Sequence, residues 1–360
     1  MGKLDFYIIK KFLGTFFYMI IAFIVIAIVF DVSEKIDDLI TNQAPMKEIL
    51  LDYYLNFTFF LGNLLSSILV FLTVILVTSG MAQKSEIVAI LSSGVSYRRM
   101  LLPYFVAAGV LVIFSLIISH SILPRANEVR LSFEEKYIYS SFRITEENLH
   151  REIEPGVIAY FQSITASKNV GYKFSIEHWD ENRQLRKKLI ASKATYFPEE
   201  DKWEIINVQV RNIAADGKER ISRFNRIDTT INLKISDFGQ RLEVAAALGD
   251  RELNEYIEQE KLKGSDQVVF LLIEKYSRTS NAFAIFILTL IGVAISSRKS
   301  RGGTGLHMAA GVLIGFIYIF AMKLSSVSAT NAGVPPIVAV WIPNTIFLLV
   351  GIYLYRKAPK

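Results

Sequence analysis

Apolar positions along this chain fall into two regimes, unbroken runs toward both ends and strict alternation in the middle, and they predict two kinds of structure. Phe12 to Phe30 is a stretch of about nineteen residues without a charge, long enough as a helix to cross a hydrocarbon core of roughly 30 Å. Lys3, Lys10 and Lys11 precede it as they would a signal peptide. The run is longer than a signal's apolar region, however, and no A-x-A site follows before Asp31, so a retained span is expected. Further spans are expected at about Asn56 to Ser79, Leu101 to Ser119, Asn281 to Ser296, His307 to Met322 and Pro336 to Tyr355, the fifth being short.

Between about Gly156 and Ile235 the period changes to two, as half-buried strands require. Tyr172, Phe174 and Ile176 alternate with polar residues before Asp180-Glu181-Asn182. Ile190, Ala194 and Tyr196 lead to Pro198-Glu199-Glu200-Asp201. Ile206, Val208 and Val210 follow Trp203, and Asp216-Gly217 marks another reversal. Short antiparallel strands in a sandwich or roll are expected. Asp250 to Tyr276 returns to helical spacing, with Leu253, Tyr256 and Ile257 on one face and a break at Gly264.

Composition agrees with this division. Of 360 residues, 52% are hydrophobic and 21% charged, too apolar for one water-soluble globule. Lys and Arg number 40 against 34 acids, a net charge of +6 that is too mild to argue for nucleic acid. The position of the cations says more. Lys3, Lys10 and Lys11, then Lys84, Arg98 and Arg99, then Arg298, Lys299 and Arg301, then Arg356, Lys357 and Lys360 flank the spans alternately on one side. Basic residues are retained in the cytoplasm, so both termini are expected there and the segment from His120 to about Ser280 outside. The opposite short loops hold only Lys35, Lys47 and Lys323.

Much chemistry is missing. With no cysteine there are no disulfides, thiolate nucleophiles or Cys-based metal sites. No G-x-x-x-x-G-K-[ST] or G-x-S-x-G motif occurs, and Gly302-Gly303-Thr304-Gly305 lacks the strand that a phosphate loop needs. His120, His150, His178 and His307 are scattered without metal-ligand spacing. No cofactor is implied and an enzyme is poorly supported.

The segment after the second span carries more. Ser85 to Leu91 has the pattern of a short helix, with Ser85 as cap, Glu86 in the first turn, Gly94 closing it, and Ile87, Ile90 and Leu91 as an apolar stripe. A helix lying on the membrane surface and a helix docking into a partner both fit that pattern. The run Gln83-Lys84-Ser85-Glu86-Ile87-Val88-Ala89-Ile90-Leu91-Ser92-Ser93-Gly94-Val95-Ser96 resembles the coupling segment of the LptF/LptG permease family (YjgP/YjgQ-type). Ser175 to Leu185, then Ile190-Ala191, Ala194, Tyr196-Phe197 and Lys202-Trp203-Glu204-Ile205, resemble the family's outer-domain pattern.

The resemblance covers the whole chain and implies a membrane α+β fold: six transmembrane helices with a periplasmic antiparallel β-jellyroll inserted between the third and fourth. The implied divisions are 1–122 with a coupling helix at about 84–93, 123–262 for the β domain and connector, and 263–360. It implies an inner-membrane ABC transporter permease, a multi-pass protein of outer membrane biogenesis that exports lipopolysaccharide. Its implied partners are a separate LptB-like cytoplasmic ATPase dimer, a second LptF/LptG-type permease subunit in a hetero- or homodimer, and an LptC-like periplasmic protein. Glu86 is implied to sit in the helix that enters the ATPase groove, which Ile87, Ile90 and Leu91 are expected to fill, and Lys35 is implied to face the lipid head group; Lys323, as a cation of the short outer loops, is a second head-group candidate. The proline common in the family before the fourth span is absent from Tyr276-Ser277-Arg278-Thr279-Ser280-Asn281-Ala282, which leaves a continuous helix or a polar break there. The alternative to a permease is a membrane-anchored periplasmic scaffold or sensor without transport.

Overall fold

A computed structural model describes residues 2–138, 148–165, 169–180, 182–198, 200–214, 217–231, 233, 242–262, 265, 267–299 and 302–358. Among them the helices are α1 (Lys3–Thr41), α2 (Met46–Glu48), α3 (Leu55–Gln83), α4 (Glu86–Ser92), α5 (Tyr97–Ile117), α6 (Leu123–Tyr137), α7 (Leu242–Ala247), α8 (Asp250–Leu262), α9 (Val268–Ser296), α10 (Gly303–Asn331) and α11 (Pro336–Lys357). Six helical segments are long and apolar enough to cross a bilayer, as the hydrophobic runs predict. Two are compound: π-helical turns at Ile49–Tyr54 and Ile118–Ile122 join α2 to α3 and α5 to α6 without breaking the helix. All six extend past the apolar runs, because backbone groups keep pairing within the helix beyond the last apolar side chain. The fifth changes most. It is a 29-residue helix, Gly303–Asn331, with His307 in its second turn and Lys323 inside it rather than in a loop.

The compact units are a helical one, Met1–Phe133, Ala245–Glu255 and Gln267–Lys360, and a second one, Glu134–Val244 and Tyr256–Asp266. In the helical unit α9 is central, packing on α3, α5 and α11, and 67% of its apolar window is buried against 11% for α1 and 22% for α10. Missing side chains permit the close packing. A Cβ on Gly292 would stand 2.9 Å from Val74 Cγ1 on α3, and one on Gly311 only 2.4 Å from Ile75 Cδ1. Asn344 of α11 adds polar bonds, accepting from Tyr318 at 2.9 Å and donating to the Ser280 carbonyl at 3.1 Å. The entry to the fourth span is part of one continuous helix, Val268–Ser296.

The second unit holds β1 (Leu149–Glu154), β2 (Val157–Phe161), β3 (Ser163–Thr165), β4 (Val170–Trp179), β5 (Leu185–Phe197), β6 (Lys202–Ile213) and β7 (Glu219–Thr229). They form one antiparallel sheet in the order β1-β2-β4-β5-β6-β7, with β3 paired to β4. Phe161 on β2 and Trp203 on β6 are three strand spacings apart, about 14 Å in a flat sheet. Their rings lie 5.8 Å apart and both are fully buried, so the sheet curls over its apolar face. Trp203 also stacks on Phe174 and donates to the Leu233 carbonyl at 3.0 Å.

Alternation is not continuous along these strands. Gly171, Ala194 and Ile205 share the core face on one side of a line across β4, β5 and β6, and Phe174, Ala191 and Val208 share it on the other. Lys173 and Asn207 on that line have φ of +50° and +56°, and each local inversion slips the side-chain phase by one residue. Tyr172 is therefore exposed and Ile206 lies outside the core cluster, where uninterrupted alternation expected both to share a face with their apolar neighbours. The turn at Asp180 forms as expected, its carboxylate accepting the Asn182 and Gln184 amides at 3.0 and 2.8 Å. The Gln184 amide first, then the Arg186 guanidinium and the Asn182 amide, hold the Asp180 carboxyl below its ordinary range against its partial burial. Glu181, Glu199, Asp216, Gly264, Arg301 and Lys360 lie outside the described residues.

Gly292→Val is expected to cost about 1–3 kcal/mol by overpacking α9 against α3. The matched change at Gly14, which has open space beside it, should leave thermal unfolding in detergent unchanged.

Candidate functional site

Two clusters stand near opposite ends of α1. The first surrounds α4. Ser85 adopts a left-handed conformation, φ +59°, and its hydroxyl makes no cap hydrogen bond. A capping side chain needs extended backbone at that position, so the expected Ser85 cap is replaced by a tight reversal that turns α4 away from α3. Gly94 closes the helix as expected, with φ +87° and its amide donating to the Leu91 carbonyl at 3.1 Å. The side-chain cap of this region is Ser96, which accepts from the Arg99 amide at 3.3 Å at the start of α5.

Ile87 is 1% exposed and belongs to the core cluster that includes Ile8 and Phe12 of α1; Ile90 and Leu91 pack partly against the same cluster. The stripe expected on α4 thus anchors the helix to its own subunit, most completely at Ile87. Val88, Ala89 and Ser92 are exposed. Glu86 is half-buried. Its Oε2 accepts from the Tyr7 hydroxyl at 3.0 Å and pairs with Lys11 Nζ at 3.5 Å, while Lys11 also donates to Tyr7 at 2.9 Å. Two residues before Tyr7 on α1, Asp5 is 3% exposed at its side chain and receives both guanidinium nitrogens of Arg99, at 2.7 and 2.6 Å. This bidentate pair fixes direction as well as distance.

The second cluster is built on Lys35. Asp31, one turn earlier, pairs with it at 2.8 Å, and the side chains are only 14% and 11% exposed. Lys35 also donates to the Tyr53 hydroxyl, which in turn donates to Asp31 at 2.9 Å; Tyr54 reaches the same carboxylate at 3.3 Å. The ammonium lies over the Tyr53 ring at 4.9 Å and the Phe57 ring at 5.8 Å. Lys35 is thus a compensated charge in an aromatic recess. Lys47, on α2, and Lys323, about two turns before the end of α10, are both exposed.

A third group had no counterpart in the sequence reading. Arg278, 4% exposed on α9, donates to Asp250 at 2.9 Å and to the Ala245 and Leu248 carbonyls at 3.0 and 2.9 Å. His120 pairs with Asp250 at 2.7 Å. Burial raises the Asp250 carboxyl, but His120 and then Arg278 outweigh it and the net shift is downward. His307 lies 3.0 Å from the Arg298 carbonyl, and His150 packs on Tyr160. Burial lowers His178, with Lys187 adding to the effect. Among the described residues no three His, Cys, Asp or Glu side chains group closely enough to hold a metal ion.

Asp31 with Lys35, and Tyr7 with Lys11, stand at the i, i+4 spacing that places side chains together on one helix face. Tyr7 and Glu86 are 79 residues apart, and Asp5 and Arg99 are 94, with no local pattern linking them. Asp31→Ala should destabilise the protein by about 1–3 kcal/mol, because it strands a largely buried ammonium. Asp31→Ala with Lys35→Met should recover part of that loss in thermal unfolding.

The family model described as lipopolysaccharide export system permease LptF/LptG matches residues 6–357. Lipopolysaccharide export system permease protein LptG of Escherichia coli strain K12 is 21% identical over 283 residues, covering 77% of each chain. The protein of the same name from Escherichia coli O6:H1 strain CFT073 gives the same identity and coverage.

Proposed function

The chain belongs to the LptF/LptG family of lipopolysaccharide export permeases, and from that premise we propose how it works within the exporter. It is an inner-membrane, multi-pass subunit that withdraws lipopolysaccharide from the bilayer and passes it to its β domain on the periplasmic side. The observation that carries this reading is the extent of the match, which includes all six apolar helices and the sheet between the third and fourth.

The physical requirements agree with it. Acyl chains need cover from water, since each exposed methylene costs about 0.8 kcal/mol. A curled sheet with one apolar face is suited to give that cover. The weakly buried α1 and α10 leave much apolar surface for lipid or for a second permease subunit, in a homo- or heterodimer. ATP hydrolysis takes place in a separate cytoplasmic ATPase dimer, and an LptC-like periplasmic protein receives the lipid. Glu86, Ile90 and Leu91 on α4 meet the ATPase, with Ile87 securing the helix from behind. Lys35 faces the anionic head group, where a lipid phosphate competes with Asp31 for the ammonium; Lys323, exposed on α10, is a second cation along that route.

Two measurements test this reading. Single cysteines placed in this cysteine-free chain report sidedness, and position 299 should resist an impermeant thiol reagent applied to intact cells while position 188 on β5 reacts. Labelling of 299 from outside would overturn the orientation. Glu86→Ala should weaken recovery of the ATPase by about tenfold, the worth of a charge-assisted hydrogen bond in a desolvated contact. A membrane scaffold without transport predicts that no ATPase and no lipopolysaccharide copurify with the wild-type chain.

A further inference from the structure

Glu86 is engaged on one side only. Its Oε2 atom meets Tyr7 and Lys11 of α1, and among the described residues the side chain makes no other hydrogen bond or ion pair. Tyr7 and Lys11 are four residues apart on one face of α1 and are bonded to each other, so they act as a preformed cradle for one carboxylate oxygen. Ile87 is set in a larger buried cluster to which α1 contributes Ile8, Phe12 and Phe16 and α3 contributes Met81 and Ala82. A third tie is the Asp5–Arg99 pair, which fastens the first turn of α1 to the start of α5, just beyond α4.

We infer that Glu86 is a bridge whose two oxygens serve different elements, Oε2 held by Tyr7 and Lys11 and Oε1 presented to a basic group of the ATPase, so that displacement of α4 passes into α1. The inference rests on the reading of α4 as the ATPase-docking helix and adds two positioning residues to it. Neither Tyr7 nor Lys11 touches lipid or nucleotide in this scheme. Their task is to orient the carboxylate and to make α1 follow it. α4 is only seven residues long and is bounded by left-handed residues at Ser85 and Gly94, so the backbone at both ends is a tight turn. The cradle therefore supplies the direct lateral connection from α4 to the first span, while Ile87 holds α4 in the core.

The test uses the complete transporter, this chain with its ATPase and second permease, in proteoliposomes loaded with lipopolysaccharide. The readout is lipopolysaccharide released to a soluble acceptor per ATP hydrolysed. Tyr7→Phe combined with Lys11→Met should lower that ratio about fivefold, the upper range for partly exposed polar pairs. Lys11→Arg, which keeps the charge, should stay within about twofold of wild type, a rescue that a purely structural contact does not require. If the double variant fails to assemble, Lys11→Glu alone, which places like charges together, supplies the same ratio. A ratio within about twofold of wild type in the variant that assembles would overturn the bridge. Glu86→Ala separates the two readings: if it is defective while the cradle variants are not, only the bridge fails. Wild-type behaviour of Glu86→Ala itself sinks the docking reading instead.

Discussion

Inside hydrocarbon every backbone amide and carbonyl must find its partner within the chain, and the helical part of this protein is arranged around that requirement. It explains why the second and third spans absorb their irregularities as π-helical turns rather than loops, and why all six helices outrun the apolar sequences that announce them. It also explains the behaviour of the hydroxyls. Thr73 and Ser296 turn back onto carbonyls four residues earlier, while Thr78 reaches across to Tyr104 at 3.0 Å. With backbone pairing closed inside each helix, small residues and a few polar groups are left to fix how the helices meet.

Charge is handled by the same economy. Asp5, Asp31, Lys35 and Arg278, ionic side chains of the helical unit largely withdrawn from water, each have an opposite charge in direct contact. None depends on one bond alone: Arg278 is held by Asp250 and two carbonyls, Lys35 by Asp31 and Tyr53. Such groups cost more to strand than they contribute when paired, so their value lies in selecting one arrangement of helices over its neighbours. The proline-free entry to α9 fits this picture, since Arg278 sits there and ties a continuous helix to α7 and α8.

The parts of the structure legible in the sequence were those governed by period. Runs of apolar residues located all six spans, and alternation located the β domain, because both patterns arise from geometry within a few residues. Where the sequence reading fell short, the cause was a local inversion or a distant partner. Lys173 and Asn207 take left-handed backbone without being glycine, so nothing warned that the face would slip at Tyr172 and Ile206. Ser85 looked like a cap by residue type, yet the reversal needed it in the same left-handed region. Lys35 was found as an unexpected outer cation, but its aromatic recess comes from Tyr53, Tyr54 and Phe57, brought close only by the packing of the second span.

The length of α1 has a mechanical consequence. From Asp5 to Lys35 the helix rises about 45 Å without a proline or a break. Little of its middle is buried, so it behaves as a rod fastened near both ends, by Arg99 on Asp5 and by the cluster of Asp31, Lys35, Tyr53 and Tyr54. A tilt of about 10° around the Asp5 anchorage, small against the 0–40° range of spanning helices, would sweep Lys35 through about 8 Å. That is comparable to the 8–10 Å axis-to-axis spacing of packed helices. The same tilt shifts Lys11 by only about 1.6 Å, so a small movement at α4 is enough to draw Lys35 out of its aromatic recess and open a gap as wide as a helix at the far end of the span.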